Sequence, residues 1–213
     1  MDFAAHWQPP IKGALFVVTG PSGTGKTTLI RETMKLIPEL QFSVSATTRG
    51  PRPKEVDGID YHFLSPEAFD NGVQDGAFLE WAEVYGNRYG TLRRPIETAL
   101  SQGQSVVLDI DYQGAAQVMR QFPEAIPLYV LPPNLDTIEA RLRNRRSDSE
   151  EVIQKRMAEI HIQLQHCARF EYLVVNDVLE IAVTQFSAIF IASLLKRERR
   201  TDWVARFVGE HQS

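Results

Sequence analysis

The chain has 213 residues, enough for one large hydrophobic core or for one core that carries small inserted subdomains. Its composition, 43% apolar and 23% charged, is ordinary for a globular protein, and the formal net charge of −4 argues against a nucleic-acid-binding protein. The single cysteine, Cys167, cannot form an internal disulfide, and the chain has no zinc-ligand spacing. We interpret Cys167 as a helix-packing residue.

The start of the chain and its longest apolar run predict the compartment. Residues 1–10 lack the charged segment followed by an apolar segment that marks a secretory signal peptide. The apolar run at 188–195 is shorter than the about 20 residues that span a bilayer. Together with the cysteine count, these features predict a cytoplasmic protein.

The N-terminal part of the chain predicts a buried strand, a helix and an insertion. Residues 14–19 are a continuous apolar run, which is typical of a strand buried on both faces of a parallel sheet. A glycine-rich loop follows, and a helix is predicted at 26–37, where Pro38 ends it. The stretch 45–91 is rich in Gly, Pro, Asp, Arg and Tyr and has only short alternating runs, which predicts an inserted, irregular, β-rich subdomain.

The remainder alternates helices with buried strands. Strands are predicted at 105–108, 126–131 and 172–175. Helices are predicted at about 94–103, at 113–121, after Pro133, after a capping box at 147–150, and in a long C-terminal segment that ends in a solvated basic cluster at 196–200. In the helix after the capping box, the apolar residues Ile153, Met157, Ile160 and Leu164 share one face. This alternation predicts an α/β fold with a mainly parallel sheet.

A phosphate-binding loop is the firmest motif in the sequence. Residues 20–27 read GPSGTGKT and match G-x-x-x-x-G-K-[ST] between a buried strand and a helix, the context that the motif requires. Inward N–H groups and the positive end of the helix dipole then bind phosphate oxygens. Lys26 is expected to reach the β- and γ-phosphates, and the Thr27 hydroxyl is expected to bind Mg²⁺. The alternative, an ordinary glycine-rich turn, does not account for this context.

Two aspartates follow a second buried strand. Asp109 comes directly after the apolar run 106–108, where a Walker B aspartate would help to hold the metal, partly through water. Asp111 lies two residues further on. Ligands of parallel sheets bind at the carboxyl ends of strands, which is where both residues are expected. The alternative, a cap on the helix that begins near Gln113, is stronger for Asp111 than for Asp109.

Five further segments carry a more specific pattern. They are SATTRGPRPKE at 45–55, GIDYHF at 58–63, FLEWAE at 78–83, GNRYGT at 86–91 and LDIDYQG at 108–114. With the phosphate loop, they make the chain resemble guanylate kinase from about residue 14 to the C-terminal helix. The resemblance implies ATP-dependent phosphorylation of GMP, and more weakly of dGMP, in purine nucleotide metabolism and GMP recycling, with Mg²⁺ accompanying ATP.

The resemblance also implies an architecture. It predicts a P-loop NTPase-like three-layer αβα fold with a central, mainly parallel sheet, an inserted β-rich GMP-binding subdomain and a helical lid. Its domain covers 11–205, after an N-terminal extension at 1–10. The core comprises 11–44, 92–133 and 157–205, the GMP-binding subdomain 45–91, and the lid 134–156.

The resemblance assigns roles to individual residues. A monophosphate is suited to arginine forks and phenol hydroxyls, and the N1–H and N2–H donors of guanine are suited to a carboxylate. The implied GMP-binding residues are Ser45, Arg49, Arg52, Glu55, Tyr61, Glu80, Tyr89, Gly90, Thr91 and Asp111. The implied ATP-binding residues are Gly20, Pro21, Ser22, Gly23, Thr24, Gly25, Lys26, Thr27, Thr28, Arg141 and Asn176. The implied catalytic residues are Lys26, Arg52, Arg145 and Arg156, and the implied metal residues are Thr27 and Asp109.

Several assignments stay open at the level of sequence. Glu55 either binds GMP or holds Arg49 or Arg52 in place, Glu80 could be a salt-bridge partner, and Asn176 could be a helix cap. The basic run 141–146 could be a solvated face or a nucleic-acid patch, although it lacks interleaved aromatic residues. Two departures from the family pattern are Arg146, where glycine is common, and Arg88, where an aromatic residue is frequent.

Two other functional classes compete with this interpretation. The first is a guanylate-kinase-like scaffold module that has lost catalysis and binds phosphoproteins; such modules lack an intact phosphate loop, whereas this chain has one. The second is a P-loop kinase for another nucleotide or a ribose phosphate. The residues that discriminate against this second class are Ser45, Glu80 and Thr91. The sequence does not indicate an oligomeric state.

Overall fold

The computed structural model describes residue 10 and residues 12–144 and 150–208, and those residues contain nine β-strands and eight α-helices. The strands are β1 (Leu15–Thr19), β2 (Leu40–Phe42), β3 (Ala46–Thr47), β4 (His62–Phe63), β5 (Phe78–Val84), β6 (Asn87–Leu92), β7 (Ser105–Asp109), β8 (Ile126–Leu131) and β9 (Tyr172–Val175). The helices are α1 (Lys26–Leu36), α2 (Pro66–Gln74), α3 (Arg93–Ser101), α4 (Tyr112–Gln121), α5 (Leu135–Asn144), α6 (Glu150–Gln165), α7 (Leu179–Leu194) and α8 (Thr201–Val208).

Five strands form one parallel sheet in the order β2-β7-β1-β8-β9. Strand β1 is central, with Val18 beside Asp109 of β7 and Leu128 of β8. All five residues of β1 are buried, which explains its unbroken apolar sequence. The predicted parallel sheet is confirmed, and the carboxyl ends of β1 and β7 meet at one edge of it.

Helices cover both faces of this sheet because successive strand residues point to opposite sides. Phe16 and Val18 pack in one core with α1 and α7, where the rings of Phe16 and Phe190 stack with centroids 3.9 Å apart. Leu15 and Val17 pack in a second core with α3 and α4. The result is the predicted three-layer αβα arrangement.

A second sheet has the order β4-β3-β6-β5 and is mostly antiparallel. Its small core contains Ala46, Phe69 and Phe78, and it confirms the predicted β-rich insertion. Helix α2, which supplies Phe69, was not predicted. Its N-cap is Ser65, whose hydroxyl accepts a hydrogen bond from the Ala68 N–H at 3.1 Å, and Pro66 follows as its first residue.

The C-terminal prediction was wrong in one respect. Helix α7 ends at Leu194, and a short 3₁₀ helix at Arg197–Arg199 and then α8 follow it. Arg199, predicted to be solvated, is only 2% exposed and donates a hydrogen bond from Nη1 to the carbonyl of Gly13. No helix in the described part of the chain is long and apolar enough to cross a membrane, and a cytoplasmic location stays a prediction.

The predicted lid at 134–156 is described in part. The predicted apolar face of α6 is confirmed: Ile153 and Ile160 are buried, and Met157 and Leu164 pack beside Ile160. The predicted capping-box residues at 147–149 and the predicted catalytic Arg145 lie outside the described residues, as does Arg146.

Candidate active site

The loop at 20–25 joins β1 to α1 at the carboxyl edge of the parallel sheet. Gly25 is the N-cap of α1 and has φ of 89°, a left-handed conformation that favours glycine. A Cβ at Gly25 would lie 2.4 Å from Nδ2 of Asn176, so a side chain there would displace Asn176 in addition to straining the backbone. The loop therefore has the curled backbone that the phosphate-binding motif requires.

Three side chains meet at the end of this loop because β1 and β7 are neighbours. The Lys26 ammonium donates a hydrogen bond to the Gly20 carbonyl at 2.7 Å and lies 3.8 Å from Oδ1 of Asp109. The Thr27 hydroxyl donates to Oδ2 of Asp109 at 3.0 Å. The structure thus brings Lys26 together with Thr27 and Asp109, the two residues predicted to bind the metal.

The oxygen atoms of Thr27 and Asp109 fit a magnesium ion. Mg²⁺ is a hard cation that binds oxygen ligands, and in nucleotide sites it takes few of them from the protein and the rest from phosphates and water. Within residues 12–144 and 150–208, no cluster of three or more His, Cys, Asp or Glu side chains could hold a metal by itself. A hydroxyl beside a single carboxylate suits a metal that arrives with the nucleotide.

Two predicted ATP-binding residues contact the phosphate loop from outside. Asn176 donates from Nδ2 to the Thr24 carbonyl at 2.7 Å. Arg141 donates to the carbonyls of Gly23, at 3.5 Å, and Asn176, at 3.3 Å. The alternative of Asn176 as a helix cap is wrong, because α7 is capped at Val178 without a side-chain hydrogen bond.

The neighbouring basic residue on α5 behaves differently. Arg143 is exposed and forms ion pairs with Glu139, at 2.8 Å, and with Glu150. A guanidinium engaged with two carboxylates on the surface fits the solvated face that the sequence left open. Arg141 and Arg143 thus make different contacts although they lie two residues apart on the same helix.

Arg49 lies in a polar and aromatic cluster of the second sheet. Its Nη2 donates to both carboxylate oxygens of Glu55, at 2.9 and 3.0 Å, and its guanidinium lies 5.3 Å from the centroid of the Tyr61 ring. The Tyr61 and Tyr89 rings meet edge to face at 6.0 Å. Glu55 also accepts a hydrogen bond from the backbone N–H of Arg52 at 2.7 Å. In this structure, Glu55 orients Arg49 and the turn that carries Arg52.

Glu80 is a carboxylate buried beside the opening between the two sheets. Its side chain is 4% exposed, and its Oε1 accepts a hydrogen bond from the Thr91 hydroxyl at 2.6 Å, across the β5–β6 pair. Burial raises the pKa of Glu80 to about 7, although the Thr91 hydrogen bond opposes this shift. Among the described residues Glu80 forms no ion pair, so the salt-bridge alternative is not observed.

Asp111 serves two purposes. Its Oδ1 accepts a hydrogen bond from the Gly114 N–H at 2.8 Å, which confirms that it caps α4. Its charge also contributes to the raised pKa of Glu80, so the two carboxylates lie close enough to interact. Burial in turn raises the pKa of Asp111.

One cleft of about 470 Å³ joins the phosphate loop to the second sheet. The predicted residues that line it are Gly20, Ser22, Gly23, Gly25, Lys26, Thr27, Thr28, Ser45, Arg49, Arg52, Tyr61, Glu80, Tyr89, Gly90, Asp109, Asp111 and Arg156. Pro21, Thr24, Glu55, Thr91, Arg141 and Asn176 are not among the lining residues, and the preceding contacts place most of them directly behind it.

The cleft has a further wall that was not predicted. Val84, Tyr85, Asn87 and Gln163 also line it. Tyr85 lies at the tip of the β5–β6 hairpin, with φ of 53° followed by 73° at Gly86, and its ring centroid lies 5.3 Å from the guanidinium of Arg156 on α6. The adjacent Tyr85 and Gly86 indicate a turn in the sequence. The contact of Tyr85 with α6 joins residues far apart in the sequence, so no local pattern predicts it.

Comparisons with known proteins agree with this geometry. A family model described as guanylate kinase matches residues 12–193. The guanylate kinase of Carboxydothermus hydrogenoformans is 45% identical over 188 residues, which cover 88% of this chain and 92% of that protein. The guanylate kinase of Idiomarina loihiensis is 46% identical over 189 residues, with coverages of 88% and 90%. A crystal structure of guanylate kinase from Anaplasma phagocytophilum is 30% identical, with a TM-score of 0.73 and coverages of 90% and 91%.

Proposed function

The chain belongs to the guanylate kinase family, and on that basis we propose that it transfers the γ-phosphoryl group of ATP to GMP, giving ADP and GDP. The observation that carries the proposal is the shared cleft, which has the phosphate loop on one side and the buried carboxylate of Glu80 on the other. A site with these two ends suits a triphosphate donor that faces a purine monophosphate acceptor.

Selection of guanine follows from the chemistry of Glu80. An ionised carboxylate accepts hydrogen bonds, and the Watson–Crick edge of guanine offers two adjacent donors, N1–H and the N2 amino group. Adenine has no N1–H and would leave the buried Glu80 without that partner. A site built in this way rejects the wrong substrate by about 10⁴-fold. Ser45 and Thr91 are proposed to complete the recognition of the base.

Binding of the GMP phosphate is assigned to the cluster around Arg49. Planar guanidinium groups and phenol hydroxyls donate hydrogen bonds to phosphate oxygens, and Arg49, Tyr61 and Tyr89 are already held next to one another. Glu55 is proposed to keep Arg49 oriented, as it does through two hydrogen bonds in this structure. Arg52 lines the cleft between this cluster and the phosphate loop, where it would bridge the acceptor and the transferring group.

Catalysis is proposed to depend on positioning and on positive charge. Phosphoryl transfer spreads negative charge over the equatorial oxygens of the transferring group, and little covalent chemistry is asked of the protein. Lys26, Arg52 and Arg156 all line the cleft and supply that charge. Arg145 is assigned the same role from the family pattern alone. Mg²⁺, when bound with ATP, would neutralise charge on the β- and γ-phosphates, and Thr27 and Asp109 would hold it.

The finer assignments are part of the same proposal. We propose a core of 11–44, 92–133 and 157–205, a GMP-binding subdomain of 45–91 and a lid of 134–156. The deoxynucleotide dGMP is expected to be a weaker acceptor than GMP. A phosphoprotein-binding module without catalysis is disfavoured because Lys26, Thr27 and Asp109 are assembled as an intact phosphate site.

A panel of acceptors tests the proposal. The protein is assayed by coupling ADP formation to NADH oxidation, with ATP, Mg²⁺ and each of GMP, dGMP, AMP, IMP, CMP and UMP. We expect rapid turnover with GMP, slower turnover with dGMP and very little with AMP. Absence of turnover with every acceptor would refute the proposed kinase activity. Preference for another nucleotide would refute the proposal that Glu80 selects guanine.

A further inference from the structure

The space beside the buried carboxylate of Glu80 is kept open by a glycine on the opposite element. Gly114 is the third residue of α4 and is buried. Its N–H donates a hydrogen bond to Oδ1 of Asp111. A Cβ placed on Gly114 would lie 2.1 Å from Oε2 and 2.8 Å from Cδ of Glu80. These separations are far below van der Waals contact, so the present position of the carboxylate requires that residue 114 has no side chain.

The strand that carries Glu80 is fixed against α4 on both sides of that residue. Gln117 donates from Nε2 to the Trp81 carbonyl at 2.7 Å and accepts from the Trp81 N–H at 3.3 Å. Gln121 donates to the Leu79 carbonyl at 2.7 Å. Since the backbone of β5 is tied to the helix at Leu79 and Trp81, a side chain at 114 would displace the Glu80 carboxylate and not the strand.

Displacement of that carboxylate would break its present hydrogen bond. Oε1 of Glu80 accepts from the Thr91 hydroxyl at 2.6 Å, and both groups are buried. Rotation away from α4 changes the direction in which the two oxygens face. A pair of hydrogen bonds to a planar base edge depends on that direction.

We propose that Gly114 is a specificity-determining positioning residue, which leaves the space in which the Glu80 carboxylate faces the guanine edge. The inference rests on the proposed function, because it concerns how the same site selects its acceptor. It predicts that Gly114 affects the binding of the acceptor, GMP, and does not affect the binding of ATP. The donor side is expected to have no part in it, since the atoms nearest to a Cβ at position 114 belong to Glu80 and Asp111.

The substitution Gly114→Ala separates this role from a general role in folding. The clash would fall on the end of a flexible side chain, which can rotate away. Alanine also favours a helix interior more than glycine does. This gain offsets in part the loss of the buried hydrogen bond from Thr91. We therefore expect a Tm that is lowered only slightly, a KM for ATP within about twofold of wild type, and a KM for GMP raised by at least about tenfold.

A second readout follows from the base edge itself. IMP has the N1–H of guanine and lacks its 2-amino group, so the ratio of kcat/KM for GMP to that for IMP measures the two-donor contact with Glu80. We expect Gly114→Ala to lower this ratio by at least about tenfold. Calorimetric titration of GMP without ATP should show the same loss of affinity, and that measurement does not depend on turnover.

Gly72→Ala is the matched control. Gly72 is also a helical glycine of the described chain, and a Cβ there would lie 2.8 Å from Cε2 of Phe78 in the core of the second sheet. This substitution is expected to lower Tm while leaving the GMP-to-IMP ratio near the wild-type value. An equal change of that ratio in both variants would mean that any disturbance of the insertion alters selectivity, and would overturn the proposal.

A double-mutant cycle with Glu80→Gln tests whether Gly114 acts through Glu80. If it does, Gly114→Ala adds little to the loss in GMP affinity that Glu80→Gln already causes. Multiplicative losses would overturn the proposal, as would a wild-type KM for GMP in Gly114→Ala. Failure of the wild-type protein to phosphorylate GMP would instead overturn the proposed function, so the two failures are distinguishable.

Discussion

At the scale of single residues, Glu80 shows how position changes chemistry. An exposed glutamate would be ionised at neutral pH, but burial raises the pKa of this one to about 7. Hydrogen bonding to guanine requires the ionised form. The affinity for GMP should therefore respond to pH near neutrality, where most carboxylates do not titrate.

Ionisation of Glu80 affects folding and GMP binding in opposite directions. The pKa of Glu80 in the folded protein lies above the ordinary value of 4.5. Between these two pH values, Glu80 is protonated in the folded protein without nucleotide and ionised in the unfolded chain. The stability that Glu80 contributes is thus full at pH values below about 4.5 and is lost as the pH rises through about 7. Binding of GMP has the opposite sign, since it improves as Glu80 ionises.

We expect the KM for GMP to rise as the pH is lowered from about 8 to about 6, by up to about tenfold for each unit below pH 7. The KM for ATP, measured over the same range, should change less. In Glu80→Gln the KM for GMP should be high at every pH, and its residual dependence should reflect only the GMP phosphate, which titrates near about pH 6. A flat wild-type profile would contradict the assignment.

Lys26 gives the complementary prediction on the donor side. Its ammonium lies between the Gly20 carbonyl and Asp109, directly in the loop that is proposed to bind the triphosphate. Lys26→Ala should lower kcat by at least about 100-fold, because one preorganised charge in such a site contributes on that order. Lys35→Ala, on the exposed end of the same helix, is the control and should keep normal kinetics. Normal kcat in Lys26→Ala would remove the residue from the mechanism.

Residues that form one contiguous motif were the easiest to predict. The phosphate loop could be recognised because its motif occupies eight consecutive positions. The hydrogen bond between Glu80 and Thr91 was not predicted, because it depends on strand register. The pairing of Glu55 with Arg49 was only one of the alternatives left open, because it depends on turn geometry. The role of Gly114 depends on how α4 meets β5, which no local pattern in either segment encodes.

At the scale of elements, the β5–β6 hairpin connects the insertion to the lid side of the cleft. Its turn places Tyr85 at positive φ, where a bulky residue is uncommon and Asn or Gly is preferred. The Tyr85 ring nevertheless contacts the Arg156 guanidinium, and its hydroxyl interacts with Glu159 and Gln163. The turn disfavours tyrosine at position 85, and the contacts of the Tyr85 side chain with α6 explain its presence there.

Tyr85→Asn tests this contact. Asparagine suits the turn, so Tm should be unchanged or higher, whereas Arg156 loses the aromatic face that holds it. A cation–π contact contributes about 0.5–2 kcal/mol, so kcat should fall by about 2- to 30-fold. Tyr85→Phe keeps the ring and should retain most of the activity. A loss as large in Tyr85→Phe as in Tyr85→Asn would show that the hydroxyl matters and the ring does not.

Element prediction succeeded for buried strands and failed where tertiary contacts decide. The run 126–131 was predicted with the observed bounds because a strand covered on both faces is apolar throughout. The run 172–175 was also predicted with the observed bounds, although it is an edge strand in which only Val174 is buried. Strand β2 has three residues and α2 lies inside a polar stretch, so neither gives a strong periodic signal. The basic cluster at 196–200 looked like a helix end, but the chain turns there and buries Arg199.

At the scale of the whole molecule, Arg199 links the C-terminal segment to the start of the core. Its guanidinium donates to the Gly13 carbonyl, one residue before the apolar run that becomes β1. Arg199→Met removes this donor and leaves a buried carbonyl without its partner. We expect a loss of about 1–3 kcal/mol in the free energy of unfolding, measured by urea denaturation, with little change in kcat. Lys196→Met, at an exposed position, is the control, and equal stability of the two variants would contradict the role of Arg199.

The central place of β1 also determines when the molecule can become active during its synthesis. Its two partners, β7 and β8, are encoded far downstream. The strand that leads into the phosphate loop therefore has no neighbour in the sheet until Asp109 has left the ribosome, and it lacks the second neighbour until β8 has followed. Such non-local pairing slows folding and leaves an apolar segment exposed on the nascent chain. The loop that was easiest to recognise in the sequence thus depends on strands that are synthesised about 80 residues or more after it.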